Sequence, residues 1–167
     1  ILTYSVYEDY PVVTRSARLV QKGNQKIRLE NVMSAAVEFP DMDYEMIHLS
    51  GAWARERYVK TRKLEMGIQA VQSLAGTGSS SEQNPFIALK RPHTTEDTGE
   101  VFGFSFVYSG NFLAQVEVST YEMTRVMMGI NPQGFSWELS RDEEFQTPEV
   151  VMVYSDKGLN GMSQAYH

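Results

Sequence analysis

The chain has 167 residues, 42% of them apolar and 22% charged, with a formal net charge of −6 and no cysteine. That length suits one domain with a real core, since about 150 residues bury roughly two-thirds of their unfolded surface. The acidic balance excludes a dedicated nucleic-acid binder, and the lack of cysteine excludes disulfides, thiolate metal sites and a cysteine nucleophile.

The opening residues, ILTYSVYEDYP, alternate in strand fashion and lack both an initiator Met and a signal-peptide pattern. The expectation is a piece of a longer polypeptide. LVQKGNQKIRLE centres on a turn at Gly23-Asn24. From Ile27 to Phe39 the odd positions are apolar in six of seven cases, which predicts one long half-buried strand, or two joined by a bulge. Next comes HLSGAWARERYVKTRK, residues 48–63, a strand-like stretch with one tryptophan and several charges, and then a Gly/Ser-rich loop over Ala75–Pro85.

Further on, Phe102, Phe104, Phe106 and Tyr108 share a face, and Ser109-Gly110-Asn111 predicts a tight turn pairing this run with Phe112–Ser119 as a hairpin. Phe135, Trp137 and Leu139 alternate, and Glu149–Ser155 is short and apolar enough for a buried strand. Helical periodicity is scarce, and a helix is expected only beyond the final residues, where the chain stops as if cut at a boundary. No apolar run approaches the roughly 18 residues of a membrane span. About ten short strands separated by turns predict a single all-β domain over residues 1–167, an antiparallel β-sandwich.

Chemistry-bearing patterns are few. The histidines are His48, His93 and His167, in separate elements and without metal-ligand spacing, and no serine sits in a nucleophile elbow. AGTGSSS lacks the Gly-Lys-Ser/Thr ending of a phosphate loop. The acidic clusters at 40–45 and 94–100 contain paired carboxylates, but such runs are more often solvated turns than the pair that flanks a glycosidic bond.

Residues 48–63 are the exception. If Trp53 begins a strand, Trp53, Arg55, Arg57 and Val59 fall on one face, and Ala54, Glu56, Tyr58, Lys60 and Arg62 on the other. A strand charged on both faces suits a covering partner: another domain, another subunit or a polar ligand. An indole face packs well on the apolar face of a pyranose while charged neighbours take its hydroxyls. The competing reading is a core tryptophan, the commoner fate of Trp in a β-domain.

Read in order, YEDYPVVTRSARL, DYEMIHLSGAWARER, NPFIALKRPHTTEDTGEVFGFSFVYSGNFLAQVEV, GINPQGFSW and FQTPEVVMVYSDKGLNGMSQAYH resemble the N-terminal β-supersandwich domain of glycoside hydrolase family 36 α-galactosidases, which is galactose-mutarotase-like in fold. The resemblance implies a retaining hydrolase of terminal α-galactosyl residues, as in melibiose and raffinose. It also implies a longer chain with a (β/α)8 barrel, which holds both catalytic aspartates. This piece, taken as the later part of the N-terminal domain, then carries no catalytic residue, metal or cofactor. By the same resemblance Trp53 contacts substrate, Arg55 and Arg57 support its loop or meet the barrel, and the parent is a cytoplasmic bacterial homo-oligomer.

Two other readings compete. A chain with two Trp, nine Tyr and eight Phe in an all-β pattern also suits a free-standing carbohydrate-binding module. An independent enzyme on a mutarotase-like sandwich would need a histidine and a carboxylate converging in a groove, with only His48, His93 and His167 to supply the imidazole.

Overall fold

The computed structural model describes residues 1–76 and 81–167. Its strands are β1 (Leu2–Val6), β2 (Val12–Val20), β3 (Ile27–Leu29), β4 (Met33–Phe39), β5 (Glu45–Ala52), β6 (Arg55–Lys63) and β7 (Gly67–Ser73). They continue as β8 (Gln83–Lys90), β9 (Val101–Phe106), β10 (Phe112–Val118), β11 (Thr124–Ile130), β12 (Trp137–Leu139), β13 (Glu144–Gln146) and β14 (Val150–Ser155), and one helix follows, α1 (Gly158–Tyr166).

A large antiparallel sheet runs β1-β2-β14-β9-β8-β5-β6, with β13 also paired to β2. A four-stranded sheet, β4-β11-β10-β7, covers one of its faces, and β12 and β3 form a separate ribbon. The main core lies between the two sheets and includes Met46, Ile87, Leu89, Phe104, Phe112 and Met128. On the opposite face of the large sheet α1 packs over Ile47, Ala88, Val101 and Val153 through Met162. The middle strands are thus buried on both faces, which is why β8 reads as the unbroken apolar run PFIAL rather than as an alternation. Gly103 makes the close helix approach possible, because a Cβ there would lie 2.8 Å from Met162 Sδ and 2.9 Å from the Tyr166 ring.

The sandwich expectation holds, but four local expectations do not. The run ending at Phe106 and the run starting at Phe112 do not pair: β9 lies between β8 and β14 in one sheet, and β10 between β7 and β11 in the other. With both neighbours of each strand already in place, Val107–Asn111 is a crossover between sheets. Residues 27–39 are two strands of different sheets, separated at Glu30–Val32. The bend at Gly23-Asn24 forms, yet it leads from the large sheet into the ribbon.

The helix lies within the final residues, not beyond them. Its propensity is poor, with Asn160, Gly161 and Ser163 inside it, and tertiary contacts override that. Its first amides donate to the 94–100 loop: Gly158 N to Gly99 O at 3.0 Å, Leu159 N to Thr95 O at 3.1 Å and Asn160 N to Glu96 O at 2.8 Å. Of the predicted Gly/Ser-rich loop, residues 77–80 lie outside the described residues, and Gln83–Pro85 already belong to β8.

Candidate functional site: the β5–β6 hairpin

The segment that stood out in the sequence forms the outer hairpin of the large sheet, with β6 as its free edge. Register runs from Glu45↔Lys63 through Ser50↔Tyr58, then shifts so that Ala52 faces Arg55. Two residues, Glu56 and Arg57, therefore oppose Gly51, and Arg57 takes a φ of 61° in this bulge. Gly51 is required there: a Cβ would sit 2.3 Å from the Arg55 carbonyl oxygen. Ala54, in the turn, has a φ of 63°. The bulge and the left-handed turn together push the hairpin tip out of the sheet's regular path.

Trp53 occupies that tip and is 86% exposed, so the core reading of this residue is excluded. It is a turn residue, not the first residue of a strand, and β6 begins at Arg55. The single row Trp53, Arg55, Arg57, Val59 is accordingly broken. Arg57 and Val59 do share a side and line one groove, while the turn and the bulge separate Trp53 and Arg55 from that row.

All nine residues of β6 are exposed, which fits the expectation that neither face is core. Among the described residues, Arg55, Arg57, Lys60, Arg62 and Lys63 form no ion pair. Such charge also guards a nine-residue edge against pairing with another chain. Beside the hairpin, between β5, β6, β8 and α1, lies an open groove of about 660 Å³, lined by Leu49, Val59, Phe86, Leu159 and Tyr166 among others.

The histidines do not converge. His48 is buried on β5, with neither ring nitrogen hydrogen-bonded, and burial, then the charges of Arg62 and Lys60, hold its pKa below the ordinary value of 6.5. His93 is exposed in a turn. Among the described residues no group of three or more His, Asp or Glu is arranged to hold a metal ion.

The two acidic clusters are joined through one arginine. Arg91 Nη1 and Nη2 donate to the two Asp41 carboxylate oxygens at 2.6 and 3.2 Å, and its Nε to Glu100 at 3.0 Å, so one cation neutralises a carboxylate from each cluster. The guanidinium also lies 3.9 Å from the centre of the Tyr44 ring. Arg91 is the residue that the sequence reading missed, because nothing local marks it as the partner of residues 50 positions away.

The chain is thus an antiparallel sandwich that carries an exposed indole on a charged hairpin, and among the described residues no group of histidines and carboxylates is arranged to hold a metal ion. Residues 1–140 match the glycosyl hydrolase family 36 N-terminal domain, and the chain belongs to that family. It is 57% identical over 166 residues to alpha-galactosidase AgaA of Geobacillus stearothermophilus, and 46% identical to alpha-galactosidase Mel36A of Lactobacillus acidophilus. These alignments cover 99% of this chain but 23% and 22% of the relatives, so the chain spans about a quarter of the length of the proteins it matches.

The crystal structure of alpha-galactosidase AgaB from the same Geobacillus species superposes with a TM-score of 0.98 at 57% identity, covering 99% of this chain and 23% of that one. A variant of AgaA crystallised in complex with stachyose superposes equally well, with the same identity and coverage. No helix among the described residues is long and apolar enough to cross a membrane.

Proposed function

We propose that this chain is a non-catalytic part of an α-galactosidase that hydrolyses terminal α-galactosyl residues of oligosaccharides such as melibiose and raffinose. It packs on the (β/α)8 barrel of the same chain and lends Trp53 to the galactose pocket. Arg55 and Arg57 support the hairpin or meet the barrel, and the domain contributes to a cytoplasmic homo-oligomer.

The observation that carries the reading is Trp53 at 86% exposure on the tip of a hairpin whose second strand is exposed throughout. An apolar residue that large gains little from solvent, and a covering partner accounts for it. The groove beside the hairpin supplies further apolar surface of the kind that a packed domain buries. The relatives named as alpha-galactosidases, and the crystals of AgaA variants holding stachyose and raffinose, support the substrate class.

The family's chemistry is of the retaining kind, with two carboxylates about 5–5.5 Å apart, one acting as nucleophile and one as acid and then base. Here both belong to the barrel, and this chain's part is to bind and orient. The test is hydrolysis of a chromogenic α-galactoside by the 167-residue chain and by the full-length parent. Turnover by the parent alone is expected, and turnover by this chain at a comparable rate would overturn the assignment.

A further inference from the structure

The second tryptophan lies elsewhere on the molecule. Trp137 begins β12 in the two-stranded ribbon, next to β13, which pairs with β2, whereas the Trp53 hairpin closes the far edge of the large sheet. Its indole is 50% exposed and leans on Phe145, with ring centroids 5.4 Å apart. Phe145 in turn meets Phe135 edge-on at 5.7 Å, and both phenylalanines pack against the main core. The platform is therefore held from beneath by rigid elements. Across the ribbon Lys26 pairs with Glu138 at 2.7 Å, and beside it Arg141 donates to Asn24 at 2.9 Å.

Two contiguous depressions adjoin these rings, of about 390 and 310 Å³, and they share Tyr108, Ile130, Gly134 and Phe135. Each falls in the range of about 300–1,000 Å³ typical of small-ligand sites. Their polar groups are amides and hydroxyls: Gln146 and Ser136 in one, Asn111 and Gln133 in the other, where the buried Asn131 spends its own amide on Gln72, Phe112 and the Gln133 backbone. The Gln146 amide is fixed by donation from Nε2 to the Thr147 carbonyl at 3.2 Å, which leaves its oxygen as an acceptor. Neither lining includes a charged residue, in a chain of which 22% is charged.

Ring faces beside neutral donors and acceptors, with no cation for a phosphate and no carboxylate for an amine, match an uncharged polyhydroxylated ligand that has one apolar face. We propose that Trp137 is the platform of a second carbohydrate-binding surface for neutral pyranosides, about two sugar units long. The indole stacks on the C–H face of one ring, and the amides and Ser136 take its hydroxyls. This surface goes beyond the role given to the Trp53 hairpin and does not depend on it.

The test is affinity electrophoresis of the full-length parent protein in native gels with and without glucomannan, a neutral polysaccharide that offers no α-galactosyl ends to the hydrolytic pocket. The parent is retarded by glucomannan, Trp137→Ala binds about tenfold more weakly, the equivalent of one stacking contact, and Trp137→Phe falls between. Trp53→Ala is retarded like the parent, and Trp137→Ala hydrolyses a small chromogenic α-galactoside at the parental rate. Absence of retardation in the parent, or equal retardation of Trp137→Ala, overturns the proposal. If Trp137→Ala loses hydrolysis through misfolding, Trp137→Phe decides: weaker retardation with normal hydrolysis supports the surface, and parental retardation overturns it.

Discussion

Arg91 grips Asp41 through both guanidinium nitrogens while its plane lies against Tyr44, tying the end of β8 to the segment that leads into β5. The pair holds the Asp41 carboxyl below its ordinary value of 3.8, and burial pushes the Tyr44 hydroxyl up to about 12. Because the folded-state pKa of Asp41 is depressed, its contribution is present above the ordinary carboxylate range and is lost as pH falls through the folded value. Arg91→Lys keeps the charge but loses the fork and the stacking, and should lower stability by about 1–2 kcal/mol after allowance for partial exposure. Thermal unfolding at pH 7 measures this; an unchanged midpoint contradicts it.

Gly103 lies beneath Tyr166 and Met162, and Gly103→Val would force α1 off the large sheet. The cost should be about 1–3 kcal/mol. Limited proteolysis should then release the segment after Ser155 at protease levels that leave the unmodified chain intact.

His48 gives the fold a pH dependence of known sign. Its folded pKa is below 6.5, so as pH falls the unfolded chain takes up the proton first and stability declines from about that pH downward. His48→Leu removes both the titration and two buried, unpartnered nitrogens. The variant should show a flatter profile of midpoint against pH between about 7 and 5 than the unmodified chain. An equal slope in the two would show that the acid sensitivity arises elsewhere.

Gly51, two residues before Trp53, is a backbone requirement. Gly51→Ala meets the Arg55 carbonyl at 2.3 Å, so the bulge must open and the tip must move. In the full-length parent, kcat/KM for an α-galactoside should fall about tenfold or more, because small misplacements of a positioning group are costly. Unchanged kinetics would mean that the tip geometry is irrelevant to turnover.

The fold class was legible in the sequence because period two is written into β4 and β10, each with one buried face. Pairing was less so. Phe102–Tyr108 and Phe112–Val118 look like the two arms of a hairpin, but a tight turn between alternating runs serves a sheet-to-sheet crossover equally well when each strand has other neighbours. The helix was hidden because its amides are satisfied by the carbonyls of a distant loop and its packing by Gly103, neither of which shows in local propensity. At the candidate site, alternation identified β6 as doubly polar, yet period two cannot register a bulge, so the placement of Trp53 and Arg55 beside Arg57 failed at the positive φ of Arg57. The Arg91 cluster was invisible for the same reason as every long-range ion pair: its two sides are far apart in the chain.

The central claim is that Trp53 belongs to a galactoside pocket completed by the rest of the parent chain. The direct measurement is steady-state hydrolysis of raffinose by the full-length protein and its Trp53→Ala variant, with thermal unfolding run on both. The account predicts kcat/KM lowered about tenfold or more with an unchanged unfolding midpoint, since the side chain is 86% exposed and contributes little to the domain's own stability. Parental kcat/KM in the variant would contradict it.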